Sequence, residues 1–253
     1  MRQAEATCTR RVAFVRGMCY HIRSSRKERW GRGVPVISAQ HLRAAVFPAA
    51  ASAPLLCLCV AEDETAALRA ALDGAPAHTL ICVHGFDWER DLSPWPAPPL
   101  GRGRPFAGGA GECLPLLTEA ILPKAEALLP APPAWRAIAG YSLAGLFALW
   151  ALGQTDIFSR AASMSGSLWY PGLHAYLSTH TPPRRPECIY LSLGDREARA
   201  RDPALKTVRR ETEAVAAHFR AQNIPTALEF PPGNHFQNVT ERMAAGLRWL
   251  LER

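Results

Sequence analysis

The sequence predicts an α/β protein built on an open, mostly parallel sheet that is doubly wound, with helices on both faces. Two runs have strand length: PLLCLCVA (54–61) is apolar throughout, and HTLICVHG (78–85) has the continuous apolar centre LICV. Such strands are typical of parallel sheets that are buried on both faces. Helical segments separate the runs, as the crossovers of such a sheet require. A chain of 253 residues, 48% of them hydrophobic, can bury this core.

The other elements follow from apolar patterning and from glycine and proline. A helix over 64–74 ends at a glycine, and a proline- and glycine-rich loop occupies 86–109. Because only 21 residues (166–186) separate two later strands, we expect no large lid. The remaining predicted elements are a helix at 111–128, a strand at 135–140, a helix at 142–152, strands at 159–165 and 187–194, a helix at 204–222, a strand at 226–230 and a helix at 239–252.

The net positive charge lies at the start of the chain. Residues 1–32 hold nine Lys and Arg against two acidic residues, and subtracting these from 29 and 22 leaves 20 of each sign in residues 33–253. A basic chain can indicate binding to nucleic acid or an anionic membrane. Because the main body is neutral, we expect neither partner. We divide the chain into a basic, poorly packed N-terminal extension (1–45) and a main domain (46–253).

Several protein classes are not indicated by the sequence. It has no run of about 18 apolar residues and no apolar leader, so we expect neither a membrane span nor a secretion signal. Seven scattered cysteines without a CxxC pair indicate reduced thiols in the cytoplasm. Without metal-ligand spacing, a GxxxxGK[ST] loop or a GxGxxG loop, we expect no metal and no cofactor. The sequence does not indicate an oligomeric state.

The strongest motif is GYSLAG (140–145), at the junction of a predicted strand and helix. A strand that turns directly into a helix places Ser142 on a sharp bend, the arrangement called a nucleophile elbow. The pattern departs from G-x-S-x-G because Ala144 holds the last position, and we interpret alanine as a tolerated small substitute. A serine at a helix start can also be a simple N-cap, but the strand–turn–helix context favours a nucleophile.

A serine nucleophile needs a base, and the base needs a group that orients it. Among eight histidines, His235 lies in the loop between the last strand and the last helix, where the base falls in the order Ser, acid, His. The acid is expected in the turn GDRE after the strand at 187–194. We favour Glu197 over Asp195, which would cap that turn or pair with Arg196. A Ser–His dyad is the third alternative.

Backbone N–H groups must also bind the oxyanion that forms during ester hydrolysis. One is the amide of Leu143, directly after the nucleophile. The second is expected from the loop Phe86-Asp87-Trp88, in which the sequence does not distinguish Phe86 from Trp88.

Together these motifs resemble the esterase D and siderophore-esterase group of bacterial α/β-hydrolases, which includes the enterobactin and bacillibactin esterases. The likeness covers about residues 54–253. It implies the α/β-hydrolase fold, a catalytic domain over 46–253, and cofactor-free hydrolysis of a small or siderophore-type ester by a serine nucleophile. The segments that carry it are GYSLAGLFALWAL (140–152), DWERDLSPWPAP (87–98), MSGSLWYPG (164–172), SLGDRE (192–197) and GNHFQNVTERMAAGLRWLL (233–251).

Aromatic and basic residues bear on the substrate. Trp88, Trp95 and Phe106 of the loop at 86–109 would form a stiff pocket wall that faces Trp169 and Tyr170, although aromatic side chains also serve as packing. A ferric catecholate would favour nearby cations, and the loop supplies the arginines at 90, 102 and 104.

Three rival functions stay open at this stage. An acyltransferase would use the same acyl-enzyme, with an alcohol or amine in place of water. A hydrolase-like binding protein would lack activity, although the ordered Ser142, His235 and acid argue against it. A nucleic-acid binder would depend on the basic extension rather than on Ser142.

Overall fold

The structure is a computed structural model that describes residues 33–253. Its main sheet has eight strands in the order β1-β2-β4-β3-β7-β8-β9-β10. Strand β2 runs antiparallel to both of its neighbours, and the other neighbouring pairs are parallel. The strands are β1 (Val36–Ala39), β2 (Leu42–Phe47), β3 (Leu55–Cys59), β4 (Thr79–His84), β7 (Arg136–Tyr141), β8 (Arg160–Met164), β9 (Cys188–Ser192) and β10 (Thr226–Glu229). The predicted doubly wound, mostly parallel sheet is confirmed.

Helices connect the parallel strands, and a short antiparallel pair, β5 (Pro96–Ala97) and β6 (Phe106–Ala107), lies in the loop after β4. The predicted helix at 111–128 is a succession of α3, a π-helical turn (Leu116–Ile121) and α4, because Pro123 lacks the N–H that would continue the regular ladder. The α-helices are α1 (Thr65–Ala71), α2 (Trp88–Asp91), α3 (Ala110–Pro115), α4 (Leu122–Glu126), α5 (Leu143–Leu152), α6 (Leu173–Thr179), α7 (Pro203–Lys206), α8 (Val208–Ala221) and α9 (Val239–Leu251).

The strands β1 and β2 differ from the prediction for the start of the chain. They form a hairpin inside the predicted extension, and the boundary drawn after residue 45 falls within β2. The hairpin belongs to the sheet because β2 pairs with β4 from Arg43 opposite His84 to Phe47 opposite Leu80. Both strands are short, and the exposed positions of β1 include the apolar Val36, so the sequence shows no clear alternation. Residues 1–32 of the predicted extension lie outside the described residues.

Two apolar clusters cover the two faces of the sheet. Successive strand residues point to opposite faces, so in β3 Cys57 belongs to one cluster and Leu58 to the other. This is why the strand is apolar throughout. All ten residues of α5 are buried against the first cluster, whereas α1 and α9 pack on the second. Each fully buried leucine contributes about 1.5–3 kcal/mol to folding.

The parallel strands end at one edge of the sheet, and the chemistry-bearing residues follow those ends. Ser142 follows β7, Ser165 follows β8, Glu197 follows β9 after a short turn, and His235 follows β10. Ligand sites of open α/β sheets lie at this edge.

Candidate active site

Ser142, which the sequence predicts as nucleophile, lies on the bend between β7 and α5. Its backbone has φ 58° and ψ −124°, a conformation that L residues rarely adopt. Such strain costs about 1–3 kcal/mol and persists where the surroundings enforce it. The Ser142 N–H donates to the Met164 carbonyl at 3.1 Å, and the Ser142 carbonyl accepts from the Ser167 N–H at 3.0 Å. The end of β8 therefore holds the bend in place.

Small residues let β7 and α5 approach each other beside this bend. A Cβ added to Gly140 would lie 2.5 Å from both the backbone carbonyl carbon and the Cβ of Ala144, so position 140 cannot carry a side chain while α5 lies this close. Gly145 faces the end of β8, where an added Cβ would lie 2.7 Å from Ser163 Oγ. The departure from G-x-S-x-G therefore has a packing reason: Ala144 fits above Gly140, and the close approach to β8 occurs at Gly145.

Three side chains from three strand ends form a continuous hydrogen-bonded row. His235 Nε2 lies 3.1 Å from Ser142 Oγ, and His235 Nδ1 lies 2.7 Å from Glu197 Oε2. These separations suit a nucleophile, its base and the carboxylate that orients the base. The structure thus brings together the serine, the histidine and the favoured acid.

Glu197 is held by more than the histidine, and its side chain is 5% exposed. Its Oε1 accepts hydrogen bonds from Ser165 Oγ and from the Gly194 N–H, both at 2.7 Å. Burial alone would raise the pKa of Glu197, but the hydrogen bond and charge of His235 and the bonds from Ser165 and Gly194 outweigh it. The pKa therefore lies below its ordinary value, and the carboxylate is ionised at neutral pH.

Arg242, a buried arginine that sequence reasoning missed, supports the acid and the histidine loop together. The side chain of Arg242 in α9 is 2% exposed. Its Nη1 donates to Glu197 Oε1 at 2.9 Å and to the Tyr141 hydroxyl at 3.1 Å, and its Nη2 donates to the Pro232 carbonyl at 3.1 Å. The Tyr141 hydroxyl donates in turn to the His235 carbonyl at 2.7 Å. The backbone around His235 is therefore tied to the same group that neutralises Glu197.

Asp195, the alternative acid, has a different position. Its half-exposed carboxylate accepts the Gly233 N–H at 2.8 Å and lies 3.7 Å from Arg196 Nε. Asp195 therefore links the turn 194–197 to the loop that contains His235, and it pairs with Arg196. The carboxylate brought against His235 is that of Glu197.

The two backbone segments predicted to bind an oxyanion lie at neighbouring strand ends. Cys59 of β3 pairs with Gly140 on one side and with Val83 on the other. Two residues further along, Ser142 and Gly85 are therefore level at the edge of the sheet. Leu143 begins α5, and residues 85–88, which we call the oxyanion loop after this prediction, run from the end of β4 into the first residue of α2.

Within the oxyanion loop, one amide has an intramolecular partner of its own. The Asp87 N–H donates to Asp91 Oδ2 at 2.8 Å, so it is not directed at a substrate. The Asp87 carboxylate instead pairs with Arg104 Nη2 at 2.6 Å. Phe86 directly follows the residue that is level with Ser142, whereas Trp88 lies two residues further along. Register therefore favours the Phe86 amide over that of Trp88.

The aromatic residues of the loop after β4 pack together as a cluster. The Phe106 ring lies 5.9 Å from that of Trp169 and 5.2 Å from that of Tyr170, and Trp95 lies 5.9 Å from Tyr170. Trp88 is also buried. The predicted contact between the loop and Trp169–Tyr170 is present, but most of these rings act as core packing, the alternative that the sequence left open.

The arginines of the same loop mostly pair with acidic side chains and are not the free cations that a ferric catecholate would favour. Arg104 pairs with Asp87, and Arg90 pairs with Glu112. Arg102 is exposed. Two of the three predicted cations are thus neutralised by nearby acids.

A cavity of about 280 Å³ lies beside the histidine, away from that loop. Its walls include the indole of Trp169 and the 67% exposed ring of Phe236, whose centroid lies 5.2 Å from that of His235. Arg196 and Arg199 also contribute to the lining. Because Arg196 pairs with Asp195, the positive charge that the cavity offers beside its aromatic surface is that of Arg199.

Other kinds of site are not seen in residues 33–253. No cluster of three or more His, Cys, Asp or Glu in this range could hold a metal ion. The cysteines at 57, 59, 82, 113 and 188 are free and buried, and burial raises the pKa of Cys82 and of Cys113 to about 12, so these thiols are not ionised at neutral pH. Across the same range, no helix has both the length and the apolar character needed to cross a membrane.

The strand order, the strained serine bend and the histidine and acid on later strand ends define an α/β-hydrolase. Residues 66–250 match the family model described as "Putative esterase", and the chain belongs to this esterase family. The protein is therefore an ester hydrolase, and the acyltransferase alternative is not favoured. A comparison with curated protein sequences finds no match.

Solved structures share the fold at low sequence identity. An IroE-like serine hydrolase from Shewanella oneidensis superposes with a TM-score of 0.70 at 17% identity, covering 86% of this chain and 79% of its own. The siderophore hydrolase EstA from Aspergillus nidulans gives 0.69 at 19% identity, covering 92% and 99%. The enterobactin esterase FES from Shigella flexneri, solved with 2,3-dihydroxy-N-benzoyl-glycine, gives 0.63 at 18% identity, covering 87% and 59%.

Proposed function

We propose that the protein is a serine carboxylic-ester hydrolase that works through an acyl-enzyme. Ser142 is the nucleophile, His235 is the general base, and Glu197 orients His235 and stabilises its protonated form. The single observation that carries this proposal is the unbroken row from Ser142 Oγ through His235 to Glu197, with separations of 3.1 and 2.7 Å.

The reaction follows from this geometry. His235 Nε2 takes the hydroxyl proton as Ser142 Oγ attacks the ester carbonyl carbon, and the amides of Leu143 and Phe86 stabilise the oxyanion. His235 then gives its proton to the leaving alcohol oxygen, which leaves Ser142 acylated. A water molecule, deprotonated by His235, attacks the acyl carbon, and collapse of the second intermediate releases the acid and restores Ser142.

For the substrate, we propose a small or siderophore-type ester. The enterobactin and siderophore esterases among the structural neighbours support this class. The cavity beside His235 is consistent with it, because Trp169 and Phe236 offer aromatic surface and Arg199 offers positive charge. We also propose a cytoplasmic location, which the free, buried cysteines support.

Steady-state turnover of p-nitrophenyl acetate tests the assignment of the nucleophile and the base. We expect Ser142→Ala and His235→Ala each to lower kcat by at least about 10³-fold. Ser178→Ala, at an exposed position of α6, and His78→Ala, at the opposite edge of the sheet, are the matched controls and should retain wild-type rates. A folded wild-type protein without turnover of any tested ester would instead favour a hydrolase-like binding protein.

A second assay addresses the substrate class. The wild-type enzyme is offered a catecholoyl-serine trilactone and p-nitrophenyl butyrate, and kcat/KM is measured for each. We expect the trilactone to have the higher value. Turnover restricted to the short acyl ester would contradict the siderophore assignment while leaving the serine mechanism intact.

A further inference from the structure

We propose that His41, in the turn between β1 and β2, is a positioning residue that holds the oxyanion loop in its working conformation by way of Asp91. This inference rests on the proposed function, because it assigns the second oxyanion donor to the loop at 85–88. It gives the β1–β2 hairpin, which the sequence separated from the catalytic domain, a part in the reaction.

The carboxylate of Asp91 closes the oxyanion loop on itself. Asp91 is the last residue of α2, and its side chain is 1% exposed. Its Oδ2 accepts the Asp87 N–H at 2.8 Å, while the Asp91 N–H donates back to the Asp87 carbonyl at 2.6 Å. The peptide that follows Phe86 is therefore fixed by Asp91.

His41 fixes Asp91 from outside the loop. His41 Nε2 lies 2.8 Å from the same Oδ2 that binds Asp87. Arg90 Nη1 donates to the other oxygen, Oδ1, at 3.1 Å. If His41 is replaced, Asp91 Oδ2 keeps only the Asp87 N–H as a partner from the hairpin and the loop. The carboxylate can then rotate away from the Asp87 amide.

His41 also touches the loop through its backbone. Gly85 has φ +95°, and a Cβ added there would lie 2.5 Å from the His41 carbonyl oxygen. The hairpin turn therefore packs directly against the backbone of Gly85, and its imidazole reaches Asp91 on the far side of Phe86. Contacts on both sides of the Phe86 amide set the direction of its N–H.

This direction matters because an oxyanion donor acts only when its hydrogen points at the oxygen that gains charge. A small rotation of the peptide lowers transition-state stabilisation and leaves ground-state binding of the ester nearly unchanged. The His41 side chain is 38% exposed, so its replacement opens no cavity in the core. The expected effect is therefore on catalysis rather than on folding.

Two polar variants that differ in reach provide the test. In His41→Gln the side-chain amide nitrogen can occupy the place of Nε2 and donate to Asp91, whereas in His41→Asn it is too short. We expect H41N to lower kcat for p-nitrophenyl acetate by about 10- to 100-fold, with KM nearly unchanged, and H41Q to restore most of the rate. H78N, at the opposite edge of the sheet, is the control.

The inhibition constant of a trifluoromethyl ketone is a second measurement, and it would not change if His41 had a purely structural role. The ketone adds to Ser142 Oγ and places an oxyanion in the hole, so its inhibition constant for H41N should rise by the same factor as kcat/KM falls. Equal kcat and inhibition constants in H41N and wild type would overturn the proposal, as would equal losses in H41N and H41Q. If Ser142→Ala kept its turnover, the serine mechanism itself would be wrong. If S142A were inactive while H41N had wild-type kinetics, only the role of His41 would be rejected.

Discussion

At the scale of single residues, the two oxygens of Glu197 have separate tasks. Oε2 faces His235, while Oε1 is bound by Ser165, Gly194 and Arg242. The second set fixes the carboxylate plane, so that the first oxygen meets the imidazole in one orientation. A carboxylate held in this way selects the His235 tautomer whose Nε2 can accept the serine proton.

Replacing this carboxylate by an amide should therefore impair catalysis strongly. We expect Glu197→Gln to lower kcat by roughly 10²- to 10⁴-fold, because it removes the charge that stabilises protonated His235. Glu213→Gln, at an exposed position of α8, is the matched control. The check is turnover of p-nitrophenyl acetate, and a kcat within threefold of wild type would instead indicate a Ser–His dyad.

The lowered pKa of Glu197 also has a consequence for stability. A carboxyl whose pKa is lower in the folded state contributes stability above its unfolded value, here about 4.5, and loses it as the pH falls through the folded value. Between pH 6 and pH 3 the melting temperature of wild type should therefore fall further than that of Glu197→Gln. Scanning calorimetry of both proteins measures this, and parallel pH profiles would contradict it.

At the scale of elements, the contact between β7 and α5 decides where Ser142, the proposed nucleophile, lies. Gly140→Ala would place a Cβ 2.5 Å from Ala144, between a strand and a helix that are both buried. Overpacking of this kind costs about 1–3 kcal/mol. We expect that loss in urea unfolding, with lower turnover as the Ser142 bend shifts. Gly111→Ala, which meets no atom within 4 Å, is the control and should not be destabilised.

The buried parallel strands and the residues at their ends could be predicted from the sequence because each signal is local. An apolar run identifies a strand such as β3, and a glycine-flanked serine after β7 identifies the bend. The position of Glu197 followed from its distance beyond Gly194. The chain order Ser, acid, His that accompanies such a bend identified His235. The family resemblance added the α/β-hydrolase fold and ester chemistry.

The supporting groups could not be predicted, because they depend on contacts between distant segments. Arg242 lies on a helix with a polar face, and an arginine there is ordinarily exposed. The one local sign of its burial is that it lies four residues before Gly246, on the face of α9 that packs against the sheet. His41 gave no signal, because β1 and β2 are short and their pairing with β4 is long-range.

At the scale of the whole molecule, the sheet from β1 to β10, both apolar clusters and the site lie within residues 33–253. The positive net charge lies outside this part, in residues 1–32. Ser142, Glu197 and His235, the residues proposed for catalysis, follow the basic segment by more than 100 residues in the sequence.

Two truncations test this division. A chain that begins at residue 33 should keep the turnover and melting temperature of the full chain. A chain that begins at residue 48 removes the hairpin, exposes the edge of β4 and should aggregate or unfold. Turnover and thermal unfolding of both are the measurements. Loss of activity in the first truncation would assign residues 1–32 a part in function.

The central claim is that Ser142 is the nucleophile, and covalent labelling tests it most directly. The protein is reacted with a fluorophosphonate, digested with trypsin and mapped by fragmentation mass spectrometry, which separates Ser142 from Ser159 within the peptide 137–160. We predict one adduct, on Ser142. Its formation stops turnover, and the adduct does not form in His235→Ala. An adduct on another residue, or an unlabelled Ser142 in an enzyme that still turns over ester, would contradict the account.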